Sequence, residues 1–142
     1  ARDSKGGLWL YRGTGNASAP FLARTSIGYG WNVYSSVVGT GDLTGDGKAD
    51  LVARDSKGGL WLYQGTGNPN APFAPRKQIG YGWNVYSSVV GTADLSGDGK
   101  ADLVARDSKG GLWLYRGTGN ASAPFLARTS IGYGWNIYNW LT

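Results

Sequence analysis

The chain has 142 residues, enough for about one ordinary domain, and a net charge of +5. It contains no Cys, His or Met, and all nine of its acidic residues are Asp, which excludes disulfides, Cys/His zinc sites, thiol nucleophiles and histidine-based catalytic triads. Its 25 Gly, 7 Trp and 9 Tyr residues, with only 16% charged residues, are typical of short aromatic strands joined by tight turns. No apolar run approaches the roughly 20 residues of a membrane-spanning helix, so we expect no membrane partner.

A sequence period of 52 residues runs through the whole chain and marks it as a repeat protein. The repeats are residues 1–52, 53–104 and 105–142. The first two repeats are identical at 43 of 52 positions, and residues 105–136 copy residues 1–32 without a change. Such near identity indicates either recent duplication or engineering.

Each period contains four predicted strands. In chain order, one set covers residues 35–40, 49–54, 60–63 and 73–79. The turn sequence DSKGG joins the second strand to the third as a hairpin. The first strand is rich in Ser, Val and Gly, whereas the fourth is more polar and contains Pro75.

The apolar pattern of the third strand predicts how these sheets are arranged. Leu60 and Leu62 alternate with Trp61 and Tyr63, so both faces of the sheet are apolar. Both faces must therefore be covered, which radial stacking as the blades of a β-propeller achieves. We predict an all-β fold, a β-propeller of four-stranded blades, with the small-residue first strand nearest the axis and the Pro-containing fourth strand at the outer edge.

The chain contains three blade equivalents, in the strand order three, four, four and one. We predict that the terminal strand, residues 135–142, completes the blade begun by residues 1–30 of another chain. Two chains would close a six-bladed ring, which is the favoured homo-oligomer, and three chains would close a nine-bladed one. The alternative is that the chain is a fragment of a longer propeller.

An Asp-rich loop lies between the first and second strands of a blade and occurs twice in the chain. Oxygen-bearing side chains occupy loop positions 1, 3, 5 and 9, with Gly at position 6. This pattern is similar to the front half of a calcium loop, and a hard cation takes about six to eight oxygen ligands. Six of the nine acids lie in these two loops, where they would repel one another without a cation. The alternative is a polar hairpin turn.

We therefore predict Ca²⁺ in about two loops per chain. Each loop offers five ligands, with the Lys residue contributing its main-chain carbonyl. The predicted ligands are Asp42, Thr44, Asp46, Lys48 and Asp50 in the first loop and Asp94, Ser96, Asp98, Lys100 and Asp102 in the second.

Residues 41–52, GDLTGDGKADLV, resemble the FG-GAP/VCBS repeat of integrin-type and bacterial secreted β-propellers. This resemblance implies that the loop between the first two strands of a blade binds calcium. Rings in that family usually have seven blades, which three-blade chains cannot build. The linker Ile-Gly-x-Gly-Trp-Asn and the strand Leu-Trp-Leu-Tyr-Arg are more distantly similar to tachylectin-type and mushroom propeller lectins, which implies pockets for N-acetylated sugars between blades.

The linker between blades carries the candidate ligand-binding side chains. Aromatic faces stack on the C–H faces of sugars while neighbouring polar groups bond to the hydroxyls. The alternative is that the rings only fill the wedge between two sheets. The candidates are Trp31, Asn32 and Tyr34 with their copies Trp83, Asn84, Tyr86, Trp135, Asn136 and Tyr138.

The predicted function is a non-enzymatic, calcium-stabilised binding module with lectin-like recognition of glycans. The alternative is a symmetric self-assembling scaffold with no ligand beyond the metal. We expect no enzyme, because nearly identical repeats lack the asymmetric constellation of a catalytic site. Nucleic acid is a disfavoured partner, because the basic residues are spread at about five per repeat. Calcium loops of moderate affinity are loaded outside cells, so we expect an extracellular protein.

Overall fold

Ten short strands and three single-turn 3-10 helices form residues 1–141, which are the residues described by the computed structural model. The strands are β1 Leu8–Leu10, β2 Thr25–Gly28, β3 Tyr34–Gly41, β4 Asp50–Asp55, β5 Leu60–Tyr63, β6 Lys77–Gly80, β7 Tyr86–Ala93, β8 Asp102–Asp107, β9 Leu112–Tyr115 and β10 Thr129–Gly132. The 3-10 helices are Trp31–Val33, Trp83–Val85 and Trp135–Ile137.

The strands form three antiparallel sheets, which are the blades. The second blade has the order β3-β4-β5-β6 and the third β7-β8-β9-β10, so each is a simple meander. The first blade consists of β1 and β2, extended by a single bridge between Arg2 and Leu8. This arrangement confirms the prediction of an all-β, propeller-type chain built from four-stranded units.

The first strand of each complete blade occupies the inner position. Strands β3 and β7 pack directly against each other although they belong to different sheets. They approach so closely that a Cβ atom on Gly91 would overlap the carbonyl oxygen of Gly39. Only strands of small residues fit at this distance, and β3 and β7 consist largely of Ser, Val and Gly.

The core lies between the blades and is supplied by both faces of each sheet. Leu60 and Leu62 are buried on one face of β5, and Val52 of β4 pairs with Leu62 across the strands. They join one apolar cluster with Leu103 of β8 in the third blade. Burying one such side chain contributes about 1.5–3 kcal/mol, so the contact between blades is a main source of stability.

Two predicted boundaries are wrong. The fourth strand of the second blade begins at Lys77, not at residue 73, and Phe73 makes only an isolated bridge with Gly65. Pro72 and Pro75 flank this stretch, and proline has no N–H group for a strand ladder.

The other difference is at the C-terminal end of the chain. Residues 135–137 form a 3-10 helix instead of the start of a strand, and residues 138–141 form no strand within this chain. Thr142 lies outside the described residues. Completion of a blade by this segment on another chain stays a prediction. No helix among the described residues is long and apolar enough to cross a membrane.

Candidate functional site

Each junction between blades contains a cluster of aromatic side chains. At the first junction the ring of Trp31 lies 4.5 Å from that of Tyr63 and 6.4 Å from that of Phe73, centroid to centroid. The hydroxyls of Tyr34 and Tyr63 are 2.6 Å apart. The next junction repeats the cluster with Trp83, Tyr86, Tyr115 and Phe125. Trp31 and Tyr34 are buried in the cluster, so their rings stabilise the junction.

Arginine side chains connect these clusters to their surroundings. The Arg54 guanidinium of the second blade donates to the carbonyl oxygens of Trp83 and Tyr86. These bonds hold in place the linker that leads into the third blade. The guanidinium of Arg76 lies over the ring of Trp61, 4.1 Å from its centroid, and donates to the Tyr34 hydroxyl. Burial and the hydrogen bond to Tyr34 raise the pKa of Tyr63 to about 12.

The hairpin turn after β4 is closed by Asp55. Its carboxylate accepts hydrogen bonds from the main-chain N–H groups of Lys57 and Gly59 and from the indole N–H of Trp61. The bond from the Trp61 indole is the main reason that the pKa of Asp55 is lowered. The first and third repeats make the same bonds through Asp3 and Asp107. These aspartates therefore hold the hairpin turns in shape.

A cavity of about 420 Å³ opens beside the first aromatic cluster. Ile27, Trp31 and Tyr63 line one side, and residues 70–76 line the other. Ala74 lies in this wall, where the first and third repeats have Leu22 and Leu126. The smaller side chain leaves more room at this junction.

The predicted cation loop is closed by its own main chain. The Asp42 carboxylate accepts hydrogen bonds from the N–H groups of Gly45, Asp46 and Gly47. The carboxylate of Asp50, which is almost completely buried, accepts from Leu43, Thr44 and Gly65. The second loop repeats this pattern through Asp94 and Asp102. Each of these four acids accepts two or more main-chain N–H groups, whereas Asp46 and Asp98 accept one each, from Lys48 and Lys100.

The remaining side chains of the first loop differ in their contacts. Asp46 accepts from the Gln64 amide and lies 3.8 Å from the Lys48 ammonium, and the Gln64 bond is the main cause of its lowered pKa. The Thr44 hydroxyl is buried and has no hydrogen-bond partner. In the second loop Ser96 is exposed, and the Lys100 N–H donates to Asp98. Within residues 1–141, no three acidic side chains converge as a ready metal cluster.

A comparison with protein families identifies these repeats. A family model described as FG-GAP-like repeat matches residues 1–53 and residues 42–105. The chain belongs to the FG-GAP-like repeat family. Comparisons with curated proteins and with solved structures give no match. FG-GAP-like repeats of this kind build β-propeller-type binding modules, and the two four-stranded sheets are blades of that type.

The FG-GAP-like blades separate the side chains that the sequence suggested as one ligand site. Trp31 lines the junction cavity, but Tyr34 is buried against Tyr63, and Asn32 lies beside the backbone of Gly6 in the preceding turn. At the second junction Trp83 and Tyr86 are buried in the apolar cluster, and Asn84 lies beside Gly58. The three side chains of one linker therefore do not face one common cavity, and their role in ligand binding stays a prediction.

The third set of these FG-GAP-like linker residues lies at the end of the chain. Asn136 contacts Gly110 in the same way as the other two asparagines. Trp135 is half-buried and Tyr138 is exposed, because no blade formed by residues 1–141 covers them. Sequence reasoning missed Arg24, Arg76 and Arg128, which lie over tryptophan rings in all three repeats. The repeats themselves could have indicated these arginines, since they are unchanged within the most variable stretch of the repeat.

Proposed function

We propose that the chain is a non-enzymatic carbohydrate-binding module that holds a sugar in the cavity between the first and second blades. The observation that carries this proposal is the lining of the 420 Å³ cavity, which combines the rings of Trp31 and Tyr63 with polar groups of the 70–76 segment. Small-molecule sites have volumes of about 300–1,000 Å³ and combine apolar walls with a few polar groups. The cavity has both properties.

Two polar side chains of the cavity suit sugar hydroxyls. Asn70 is exposed and offers an amide oxygen and an amide N–H₂ group, and Arg76 is an exposed guanidinium beside the aromatic cluster. The position of Arg76 is fixed by the Trp61 ring and the Tyr34 hydroxyl. A preorganised donor loses little conformational entropy when it binds a ligand.

A glycan array, followed by calorimetry on the best ligand, tests this proposal. The Ala74→Leu variant fills the cavity with the residue found in the other two repeats, so the fold is expected to persist. We expect this variant to lose at least about tenfold in affinity, which corresponds to about 1.4 kcal/mol. The matched control is Tyr81→Ala, which removes an exposed ring outside the cavity and should bind as the wild type does. An array without binding, or equal affinity in Ala74→Leu, would contradict the proposal.

The proposal includes calcium in the Asp-rich loops. Carboxylates and a hydroxyl are hard donors, and the unpaired buried hydroxyl of Thr44 is a polar atom that a cation would satisfy in the first loop. Asp42, Asp46 and Asp50 each keep acceptor capacity beyond the N–H groups that they bind. A bound cation would neutralise the acidic loop and reinforce its contact with the next blade. Loading by extracellular calcium agrees with an extracellular location for the module.

A symmetric scaffold without a sugar ligand is the second candidate function. It is favoured by the near identity of the repeats, since residues 105–136 copy residues 1–32 without a change. This function predicts self-assembly together with a blank glycan array. The absence of catalytic activity stays a prediction under both functions.

A further inference from the structure

The cavity beside the first aromatic cluster carries one charged side chain. Arg76 is the one charged residue among those that line it, and no acidic residue belongs to the lining. In the part of the chain that the structure describes, no carboxylate forms an ion pair with the Arg76 guanidinium. A guanidinium stays protonated at every pH at which proteins are folded, so the cavity has a positive charge that the protein itself does not neutralise.

The Arg76 guanidinium is held in one position. It lies over the ring of Trp61, 4.1 Å from the ring centroid, and its Nη1 atom donates to the Tyr34 hydroxyl. Within residues 1–141 the guanidinium makes no other hydrogen bond, so most of its five N–H groups remain for a ligand. A fixed planar fork of donors matches the two oxygens of a carboxylate, which it binds through two parallel hydrogen bonds.

The other side chains of the cavity supply few acceptors. Asn70 has a single amide oxygen, and the hydroxyl of Tyr63 is bonded to the hydroxyl of Tyr34. The half-buried rings of Tyr63 and Phe73 form the apolar part of the lining. A ligand that fits this lining has a C–H face for the rings and a strong acceptor for the guanidinium.

The wall that carries Arg76 is preorganised. Pro72 and Pro75 fix the backbone φ angle at two positions of the 70–76 segment. The Thr66 N–H group donates to the Pro72 carbonyl oxygen over 2.9 Å, and the Ala74 N–H group donates to the Gln64 carbonyl oxygen over 2.9 Å. A wall of this kind loses little conformational entropy when a ligand binds, so the affinity depends mainly on how well the ligand matches its groups.

We propose that the ligand of this cavity is an acidic sugar, a uronic acid whose carboxylate pairs with Arg76. This inference rests on the proposed function, because it names the class of sugar that the same cavity holds. The sugar ring packs against Tyr63 and Phe73, and the carboxylate accepts two hydrogen bonds from the guanidinium. A neutral sugar of the same size offers the guanidinium only hydroxyl oxygens, which are weaker acceptors.

The second junction provides a matched comparison within the chain. Arg128 lies 4.1 Å from the ring centroid of Trp113 and donates to the Tyr86 hydroxyl, so its contacts with the protein are those of Arg76. Leu126 stands there where the first junction has the smaller Ala74. A change of Arg128 therefore removes the same contacts within the protein but leaves the proposed cavity intact.

Titration of the full chain with pairs of sugars that differ by one carboxylate tests this inference. The pairs are the methyl glycosides of glucuronic acid and glucose and those of galacturonic acid and galactose. We expect the wild type to bind the acidic member of at least one pair about tenfold or more tightly, as a charge-assisted hydrogen bond provides. Added salt should reduce this preference, because it screens the charge of an exposed guanidinium.

Two arginine variants assign the preference to its source. Arg76→Gln should weaken binding of the acidic sugar by about tenfold or more and bring the two affinities of a pair close together. Arg128→Gln is the control and should keep the preference of the wild type. Melting temperatures of both variants show whether the two changes affect the fold equally, as their equal contacts require.

The outcomes separate this inference from the proposed function. Equal affinities for the acidic and neutral members, both lost in Ala74→Leu, would overturn the inference and leave the proposed function standing. A chain that binds neither member of any pair, nor any glycan of the array, would overturn both. A preference that persists in Arg76→Gln or disappears in Arg128→Gln would overturn the role of Arg76. Tighter binding of galactose 6-sulfate than of galacturonic acid would overturn the assignment of a carboxylate.

Discussion

Leu43 and Leu95 occupy the same position in successive repeats, but Leu43 is completely buried whereas 53% of Leu95 is exposed. The difference is due to the neighbouring blade. The loop that carries Leu43 contacts the third blade, where Gly45 lies against Gly119, and Leu43 joins the apolar cluster of that junction. Within residues 1–141, no blade covers the second loop. The two leucines therefore show the same repeat position with and without a neighbouring blade.

The first prediction compares Leu43→Ala with Leu95→Ala. A leucine truncated in a packed core costs about 2–5 kcal/mol, so Leu43→Ala should lower the free energy of unfolding by that amount. Leu95→Ala should have little effect, because the Leu95 side chain is largely accessible to solvent. Urea unfolding measures both. Equal effects of the two changes would contradict the structure.

The second prediction concerns the last residue of the inner strand. Ala93 has a φ of 52°, and the equivalent Gly41 has a φ of 73°. A residue with a Cβ atom pays about 1 kcal/mol or more in this left-handed region, partly offset by the greater freedom of glycine in the unfolded chain. Ala93→Gly should therefore raise the free energy of unfolding by about 0.5–1 kcal/mol, and Gly41→Ala should lower it by a similar amount. A Cβ on Gly41 would lie 3.9 Å from that of Ala101, so no clash confuses the comparison.

The third prediction is a loss of stability at alkaline pH. The pKa of Tyr63 is raised to about 12, above the value of about 10 expected in the unfolded chain, and burial also raises the pKa of Tyr115. Both hydroxyls are held neutral by the fold, so their contribution is complete below pH ~10 and is lost as the pH rises towards 12. Chemical unfolding at a series of pH values should show this decline, and Tyr63→Phe with Tyr115→Phe should flatten it. A double variant with the wild-type alkaline slope would show that other groups are responsible.

The fourth prediction concerns calcium. If the loops bind the ion, excess calcium should raise the melting temperature relative to chelator, since a ligand at about 100 times its Kd adds about 2.7 kcal/mol per site. Asp46→Ala together with Asp98→Ala should abolish the shift, because each change removes one predicted carboxylate ligand. The loops should keep their shape, because the bonds of Asp42 and Asp50 to the main chain remain in place. Magnesium serves as the control ion. Identical melting temperatures of the wild type in calcium and in chelator would show that the loops do not bind calcium.

Local sequence patterns predicted most of the fold. The alternation in residues 60–63 gave the bounds of β5 as found, and the small residues of β3 and β7 correctly indicated the inner position. The fourth strand was overextended because Phe73 has a high strand propensity, whereas the prolines on either side decide its backbone. The 3-10 turn at residues 31–33 has no comparable signal, since it depends on the bond from the Trp31 N–H to the Gly6 carbonyl, which is distant in sequence.

The candidate site was harder to predict for a related reason. Trp31 and Tyr34 are near each other in sequence, but the rings that cover them, Tyr63 and Phe73, come from strands that lie far along the chain. An aromatic residue suits a sugar site and a packed junction equally well, so only these long-range contacts separate the two roles. The same ambiguity applies to the Asp-rich loops. Asp42 can close the turn by accepting N–H groups, and the same carboxylate can also bind a cation.

A crystal structure of the chain with the glycan that binds best on the array gives the most direct test of the carbohydrate site. We predict that the sugar occupies the cavity of about 420 Å³, in contact with Tyr63 and the 70–76 segment. A sugar bound elsewhere, or an empty cavity at saturating ligand, would contradict the proposed function.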